Sequence, residues 1–156
     1  MSTHCKIRTA AESDVPLVFE LVRDLAEFEH MTDECVATEQ DIHNLLFGTG
    51  AVAEAVIADF DGQAAGFALF LHNCSTFAGK KVIYLEDLFV RPALRGKGIG
   101  KALLLHVIDL AKERDCARVE WHALKWNTRA IEFYKSIGAV PRDDWMWFHM
   151  LLQGSW

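Results

Sequence analysis

Apolar positions along the chain change period several times, and each change marks an element. Residues 6–10, "KIRTA", mix apolar and polar positions as a short strand does. Ser13 and Asp14 then offer helix caps, and Pro16 falls in the first turn, where a missing N–H is tolerated. Leu17, Val18, Leu21, Val22, Leu25 and Phe28 follow at helical spacing. A second helix is expected from Thr38, with Glu39, Gln40 and Asp41 suited to its first turn and Ile42, Leu45 and Leu46 as its stripe. The pattern then turns to β. "AEAVIADFDGQAAGFALFLH" holds two apolar runs around Asp61-Gly62, a hairpin signal. After the loop "NCSTFAGKK", Val82–Val90 is apolar nearly throughout, as a central strand buried on both faces would be. Glu86 and Asp87 interrupt it. A glycine turn leads to a helix with Leu103, Leu104, Val107, Ile108 and Ala111 on one face. "ARVEWHAL" (Ala117–Leu124) alternates as a strand. Asn127 or Thr128 caps a helix carrying Ala130, Ile131, Tyr134 and Ile137, and Gly138 stands where a helix ends. "DWMWFHMLL" reads as a last strand. The expected order is β-α-α-β-β-β-α-β-α-β, an α/β mixed sheet with helices on its faces, in one domain over residues 1–156.

Composition narrows the class. With 156 residues and 51% hydrophobic content, the chain can bury one sizeable core. No apolar run is long enough for a bilayer, so no membrane partner is expected. The opening "MSTHCKIRTAAESD" lacks the apolar core of a secretion signal, which makes a cytoplasmic location the expectation. Cys5, Cys35, Cys74 and Cys116 are widely spaced and read as reduced packing residues. The histidines are scattered without metal spacing, so no metal is expected. A net charge of −6 disfavours nucleic acid and suits either a cationic ligand or plain solubility.

The glycine turn carries the strongest chemical signal. "EDLFVRPALRGKGIGKALLLHVI" runs from strand to helix, and Gly96, Gly98 and Gly100 fall within five positions. The P-loop pattern fails, because Gly96 to Gly100 is one residue too short and Ala102 replaces the magnesium-binding Ser or Thr. The dinucleotide fingerprint fails at Lys101 and lies too far along the chain. What remains is R-x-x-G-x-G, read from Arg95, Gly98 and Gly100. Glycines there allow backbone N–H groups to approach a ligand, and a helix N-terminus adds positive potential. With Arg95, Lys97 and Lys101, this makes a cradle for a diphosphate. A tight turn that binds nothing is the plain alternative.

"VRPALRGKGIGKALL" resembles the acetyl-CoA-binding motif of the GNAT acyltransferases. "YLEDLFV", "WNTRAIEFYKSIGA" and "LAEFEHM" resemble, in the same order, the diamine (spermidine/spermine) and thialysine N-acetyltransferase branch of that family. The resemblance implies acetyl-CoA as co-substrate, held by Leu88, Phe89, Val90, Arg95, Gly96, Lys97, Gly98, Ile99, Gly100 and Lys101. It adds Asn127, Thr128, Arg129, Ala130 and Tyr134 from the next helix. It implies that the strand ending at Val90 splays from its neighbour and offers the N–H groups of Leu88 and Val90 to pantetheine. It implies Glu86 as general base, directly or through water, Tyr134 as general acid, and a homodimer.

Acetyl transfer to an amine needs a deprotonated nucleophile, a polarised carbonyl, a protonated leaving thiol and two substrates held together. No cysteine sits in these motifs, so direct transfer in a ternary complex is expected. Alternation in a strand would set Glu86 and Asp87 on opposite faces. Glu29, Glu86, Asp87, Glu120, Asp143 and Asp144 would hold a small cationic amine if they line one cleft, with Phe28, Trp121 and Trp145 supplying cation–π or packing contacts and His122 nearby. Ordinary surface acids and core aromatics are the plain reading of the same residues. After "IGA" the chain runs "VPRDDW" without a longer acidic insertion, so thialysine, lysine, ornithine or a diamine stands level with a polyamine. Acetylation of protein lysines or N-termini, and a non-catalytic acetyl-CoA sensor, remain as alternatives.

Overall fold

A computed structural model of the chain describes residues 4–152. The chain divides into two compact units, Met1–Trp121 and His122–Trp156. The first unit holds the sheet. β1 (Cys5–Thr9), β2 (Ala53–Phe60), β3 (Gln63–Ser75), β4 (Lys80–Val90) and β5 (Val119–Glu120) lie across it in chain order. The first four pair antiparallel, and β4 and β5 run parallel. α1 (Val15–Phe28), α2 (Glu39–Phe47) and α3 (Ile99–Glu113) complete the unit.

Local chemistry fixes the helix starts. At α2, Thr38 Oγ1 accepts from the Asp41 N–H at 3.2 Å, and the Thr38 N–H donates to Asp41 Oδ2 at 2.7 Å. This reciprocal pair satisfies donors that the first turn leaves free. Asp14 serves differently from the simple cap expected of it. Its carboxylate receives both ends of the Arg8 guanidinium at 2.7 and 3.1 Å, and Arg8 Nε also donates to Asp59 at 2.7 Å. The start of α1 is thereby tied to β1 and β2.

The sheet is buried on both faces. On one, α1 and α2 bring Val15, Val18, Leu21, Ile42 and Leu46 against Ala55, Ile57, Phe67, Leu69 and Phe89. On the other, α3 buries Ile99, Leu103, Leu104, Val107 and Ala111. Gly100, in its first turn, lies where an added Cβ would stand 3.6 Å from Val90 Cγ2. β3 is the middle strand and is buried without a break from Ala65 to Phe70. β4, expected to be central, lies beside it, with Val82, Ile83, Leu85 and Phe89 buried.

The second unit is built on α4 (Thr128–Ser136). Asn127 caps it, its Oδ1 accepting from the Ala130 N–H at 3.3 Å, and Gly138 follows its end at φ +94°. Two strand expectations are corrected. The strand read over residues 117–124 shortens to Val119–Glu120, and residues 144–152 form no strand. Residues 145–152 are apolar but for His149 and so carry no clear period to separate a strand from apolar coil, and in both segments a strand also needs a ladder partner. Residues 153–156 of the aromatic-rich end lie outside the described residues. Among the described residues, no helix is long and apolar enough to cross a membrane.

Candidate active site

The site in the first unit begins with an irregularity in β4. β3 and β4 pair in step from Ser75↔Lys80 to Phe70↔Leu85, and again from Leu69↔Asp87 to Gly66↔Val90. Glu86 is the extra residue between, a β-bulge. Leu85 shares its face with Phe70 and Asp87 shares its face with Leu69, so Asp87 joins Phe89 on the face covered by α1 and α2. Simple alternation, which set Glu86 and Asp87 on opposite faces, does not run through the bulge.

The bulge also resets the ladder. The Arg91 N–H donates to the Ala65 carbonyl at 2.8 Å. Counting back by twos, the backbone of Phe89 and Asp87 also addresses β3, while Leu88 and Val90 address the opposite edge. On that edge β5 pairs with β4 at Ile83↔Val119 and Tyr84↔Glu120, both before the bulge. Leu88 and Val90 therefore present N–H groups to an edge that β5 does not occupy. Phe89, between them, turns its backbone into the sheet and its side chain into the core, where it is 3% exposed. Gly66 allows this arrangement, since a Cβ there would lie 2.3 Å from the Phe89 carbonyl oxygen.

Beyond β4 the glycine turn opens α3. Gly96 and Gly98 hold φ values of +78° and +80°, a region that disfavours side chains, and an added Cβ at either would meet nothing within 4 Å. Gly98 is the cap of α3, and its carbonyl accepts the first helical bond from the Ala102 N–H at 3.0 Å. The N–H groups of the first turn are left for a ligand. Lys97 and Lys101 are exposed beside them, Lys97 lying 5.7 Å from the Phe60 ring centroid. The buried Ile99 side chain leaves only its backbone for that role.

Acids gather beside the bulge. Asp87 is half-buried, and its pKa is pushed up to about 7 by burial first, then by Glu86, then by Glu29. Glu29, which caps α1, is itself raised by burial and by Glu86. The Tyr84 phenol is pushed up to about 12 by burial and by Glu86, Asp87 and Glu120. Every charged group that shifts Asp87 is acidic, so a cation entering here would relieve the cluster. Glu120 lies within this field and is also paired with Arg118. Trp121 closes the unit. Among the described residues, no group of three or more His, Cys, Asp or Glu is placed to hold a metal ion.

Phe28, expected to stack on an amine, stacks on the protein's own cation. The Arg95 guanidinium carbon lies 4.2 Å from the Phe28 centroid and 5.3 Å from that of Phe89, and Arg95 Nε donates to the Val90 carbonyl at 2.9 Å. The remaining candidates belong to the second unit. Tyr134 lies on α4 with its ring centroid 5.5 Å from that of Phe133, and Thr128, Arg129 and Ala130 form the helix start. His122 packs edge-on to Trp147 with centroids 4.1 Å apart. Asp144 accepts two bonds from Arg142, which hold its carboxyl below the usual range.

Sequence reasoning missed Gly66, the bulge and the Arg91 clamp. Gly66 had a signal, since a glycine inside a strand marks close backbone approach. The bulge had none, because it exists only in the pairing of two strands. Arg91 donates to Glu20 at 2.8 Å and lies 3.8 Å from Asp24, tying the end of β4 to α1.

Comparison with known proteins agrees with this arrangement. Residues 18–139 match the model of the Acetyltransferase (GNAT) family. A thialysine N-epsilon-acetyltransferase of Bos taurus is 35% identical over 141 residues, covering 85% of this chain and 82% of that protein. An L-ornithine N5-acetyltransferase of Arabidopsis thaliana is 30% identical over 185 residues, covering 90% and 81%. Among solved structures, an integron cassette protein from Vibrio cholerae superposes with a TM-score of 0.78 at 28% identity, covering 98% of this chain and 96% of that one. With its mixed sheet, glycine-capped third helix and acid-flanked bulge, the chain belongs to the GNAT acetyltransferase family and is an N-acetyltransferase that acts on amines.

Proposed function

We propose that this enzyme moves an acetyl group from acetyl-CoA to the primary amine of a small cationic substrate, a diamine, polyamine or lysine-like amino acid. The observation that carries the reading is the cluster of Glu29, Glu86, Asp87 and Glu120 around the bulge, in the same unit as the glycine cradle. The names of the bovine and Arabidopsis relatives, which act on thialysine and ornithine, support the substrate class.

The residues present fit acetyl-CoA. Gly96 and Gly98 leave open space where side chains would stand, the first turn of α3 supplies N–H donors, and Leu88 and Val90 offer two more along β4. Acetyl-CoA supplies the activated acyl group as a thioester. The protein's share is binding, orientation and proton transfer. The acids attract the ammonium, and a carboxylate at the bulge accepts its proton. Asp87, with a pKa of about 7, is matched to that task at neutral pH, beside Glu86, the base that the family resemblance implies. A backbone N–H of β4 polarises the acyl oxygen, as preorganised donors do. The family resemblance implies Tyr134, on α4, as the acid that protonates the departing thiolate. Transfer is direct. Tyr134→Phe is expected to lower kcat at least tenfold, a general-acid contribution being on the order of 10²-fold or more, with acetyl-CoA affinity held. Calorimetry beside steady-state kinetics checks that split.

The reading is tested by thiol release from acetyl-CoA across thialysine, lysine, ornithine, putrescine, spermidine and a lysine peptide. Strong release with one small amine supports it. Preference for the peptide overturns the substrate class, and acetyl-CoA binding without release from any amine points to a sensor. For assembly we propose a homodimer, supported by the exposed side chains of Trp145, Trp147, Phe148 and Leu152 in the second unit, which a second copy would cover. Sedimentation equilibrium reads twice the 17.6 kDa chain mass if this holds and the single mass if it does not.

A further inference from the structure

The cation that opens the R-x-x-G-x-G motif is engaged within the fold. Arg95 is half-buried, with its guanidinium 4.2 Å from the centroid of Phe28 and 5.3 Å from that of Phe89. The two rings are themselves 6.3 Å apart and tilted by 50°. Arg95 Nε donates to the Val90 carbonyl at 2.9 Å. That carbonyl shares a peptide plane with the Arg91 N–H, which donates to Ala65 at 2.8 Å. The last peptide of β4 is therefore held from both sides, by β3 through its N–H and by Arg95 through its oxygen. Turning Arg95 toward the glycine turn would break this bond and strip the charge from two aromatic faces. Lys97 and Lys101 remain exposed on the turn as cations for a diphosphate.

Phe28 is the last residue of α1, and Glu29, one step on, carries a carboxylate of the acid cluster. One side chain thus joins the last residue of β4 to the residue that precedes Glu29. Resting on the acetyl-CoA reading above, we infer that Arg95 is a positioning residue: clamped on Phe28 and Phe89 and bonded to Val90, it sets the outward edge of β4 against the end of α1 that carries Glu29, and it is not a diphosphate ligand. The Nε corner of the fork that fits a phosphate is here bonded to a carbonyl, and the guanidinium plane lies against two rings.

Arg95→Lys tests this, because it keeps the charge but loses the planar stack and the Nε geometry. Affinities for ADP and for CoA are measured by calorimetry. Turnover is measured with acetyl-CoA and with acetyl-pantetheine, which carries no phosphate. The expected result is an ADP affinity within about twofold of the parent, since on this inference Arg95 makes no contact with the diphosphate, whereas a fork bound to phosphate would not survive replacement by lysine. Turnover falls by the same factor with both donors, roughly tenfold for a sub-ångström misplacement, and the amine KM rises. Phe28→Leu repeats the pattern, Phe28→Tyr restores it, and Phe28→Leu adds little on top of Arg95→Lys. The inference is overturned if the loss is confined to acetyl-CoA and matched by weaker ADP binding, or if turnover with acetyl-pantetheine is unchanged. If the parent enzyme acetylates none of the amines, the acetyl-transfer reading fails on its own. Binding still decides Arg95 then: CoA weakened without ADP keeps the inference, and equal weakening overturns it.

Discussion

At the scale of single residues, Asp87 is set apart by what surrounds it. Burial and the charges of Glu86 and Glu29 raise its pKa to about 7, which keeps a substantial share of it protonated near neutrality. As a proton acceptor it works only when ionised, so kcat/KM for the amine is expected to rise with pH along a limb near 7. Removing a neighbouring negative charge makes ionisation easier. Glu86→Gln is therefore expected to move the limb toward lower pH, whereas Asp87→Asn abolishes it and lowers kcat/KM by roughly 10²-fold, the usual contribution of a positioned base. The pH profiles of the two variants check the assignment. If Glu86→Gln is the variant that erases the limb, Glu86 is the base. The chemistry-bearing residues were legible in the sequence because charges in an apolar strand and glycines before a helix are conspicuous. Their division of labour was not, since it depends on which face each occupies, and the bulge decides that.

At the scale of elements, the sheet near the site rests on Gly66. A methyl group there would overlap the Phe89 carbonyl, so β3 and β4 would have to separate where the edge peptides of Leu88 and Val90 are set. Gly66→Ala is expected to destabilise the fold by about 1–3 kcal/mol, as overpacking does, and to weaken CoA binding; thermal unfolding and calorimetry read the two effects. α1, α2, the hairpin and α3 could be read from periodicity, and the caps at Thr38 and Asn127 from residue type. Residues 144–152 could not, because an apolar run from Trp145 broken only by His149 says that something must cover it and not what shape it takes. The truncation of β5 was equally hidden, since alternation in the sequence continues past the point where pairing stops.

At the scale of the whole molecule, a formal charge of −6 and the acid cluster act in the same direction on a cationic substrate. Exposed charges attract over about a Debye length, roughly 10 Å at 0.1 M salt. The kcat/KM for an amine with two or three positive charges is expected to fall as salt rises, and more steeply than for an amine with one. A series of sodium chloride concentrations against putrescine, spermidine and a monoamine checks this; equal slopes would place recognition in contacts alone.

The reset ladder of β4 has a further consequence, for isotopes. Phe89 has its amide inside the sheet, while Leu88 and Val90 hold theirs on the outward edge. In the free chain, deuterium should enter positions 88 and 90 quickly and position 89 slowly, a fast-slow-fast signature across three successive residues. A ligand that lies along the edge would slow the outer two and leave the middle one as it was. Three adjacent amides would then serve as an intrinsic occupancy gauge, able to report seating of the pantetheine arm even in a variant that has lost all turnover.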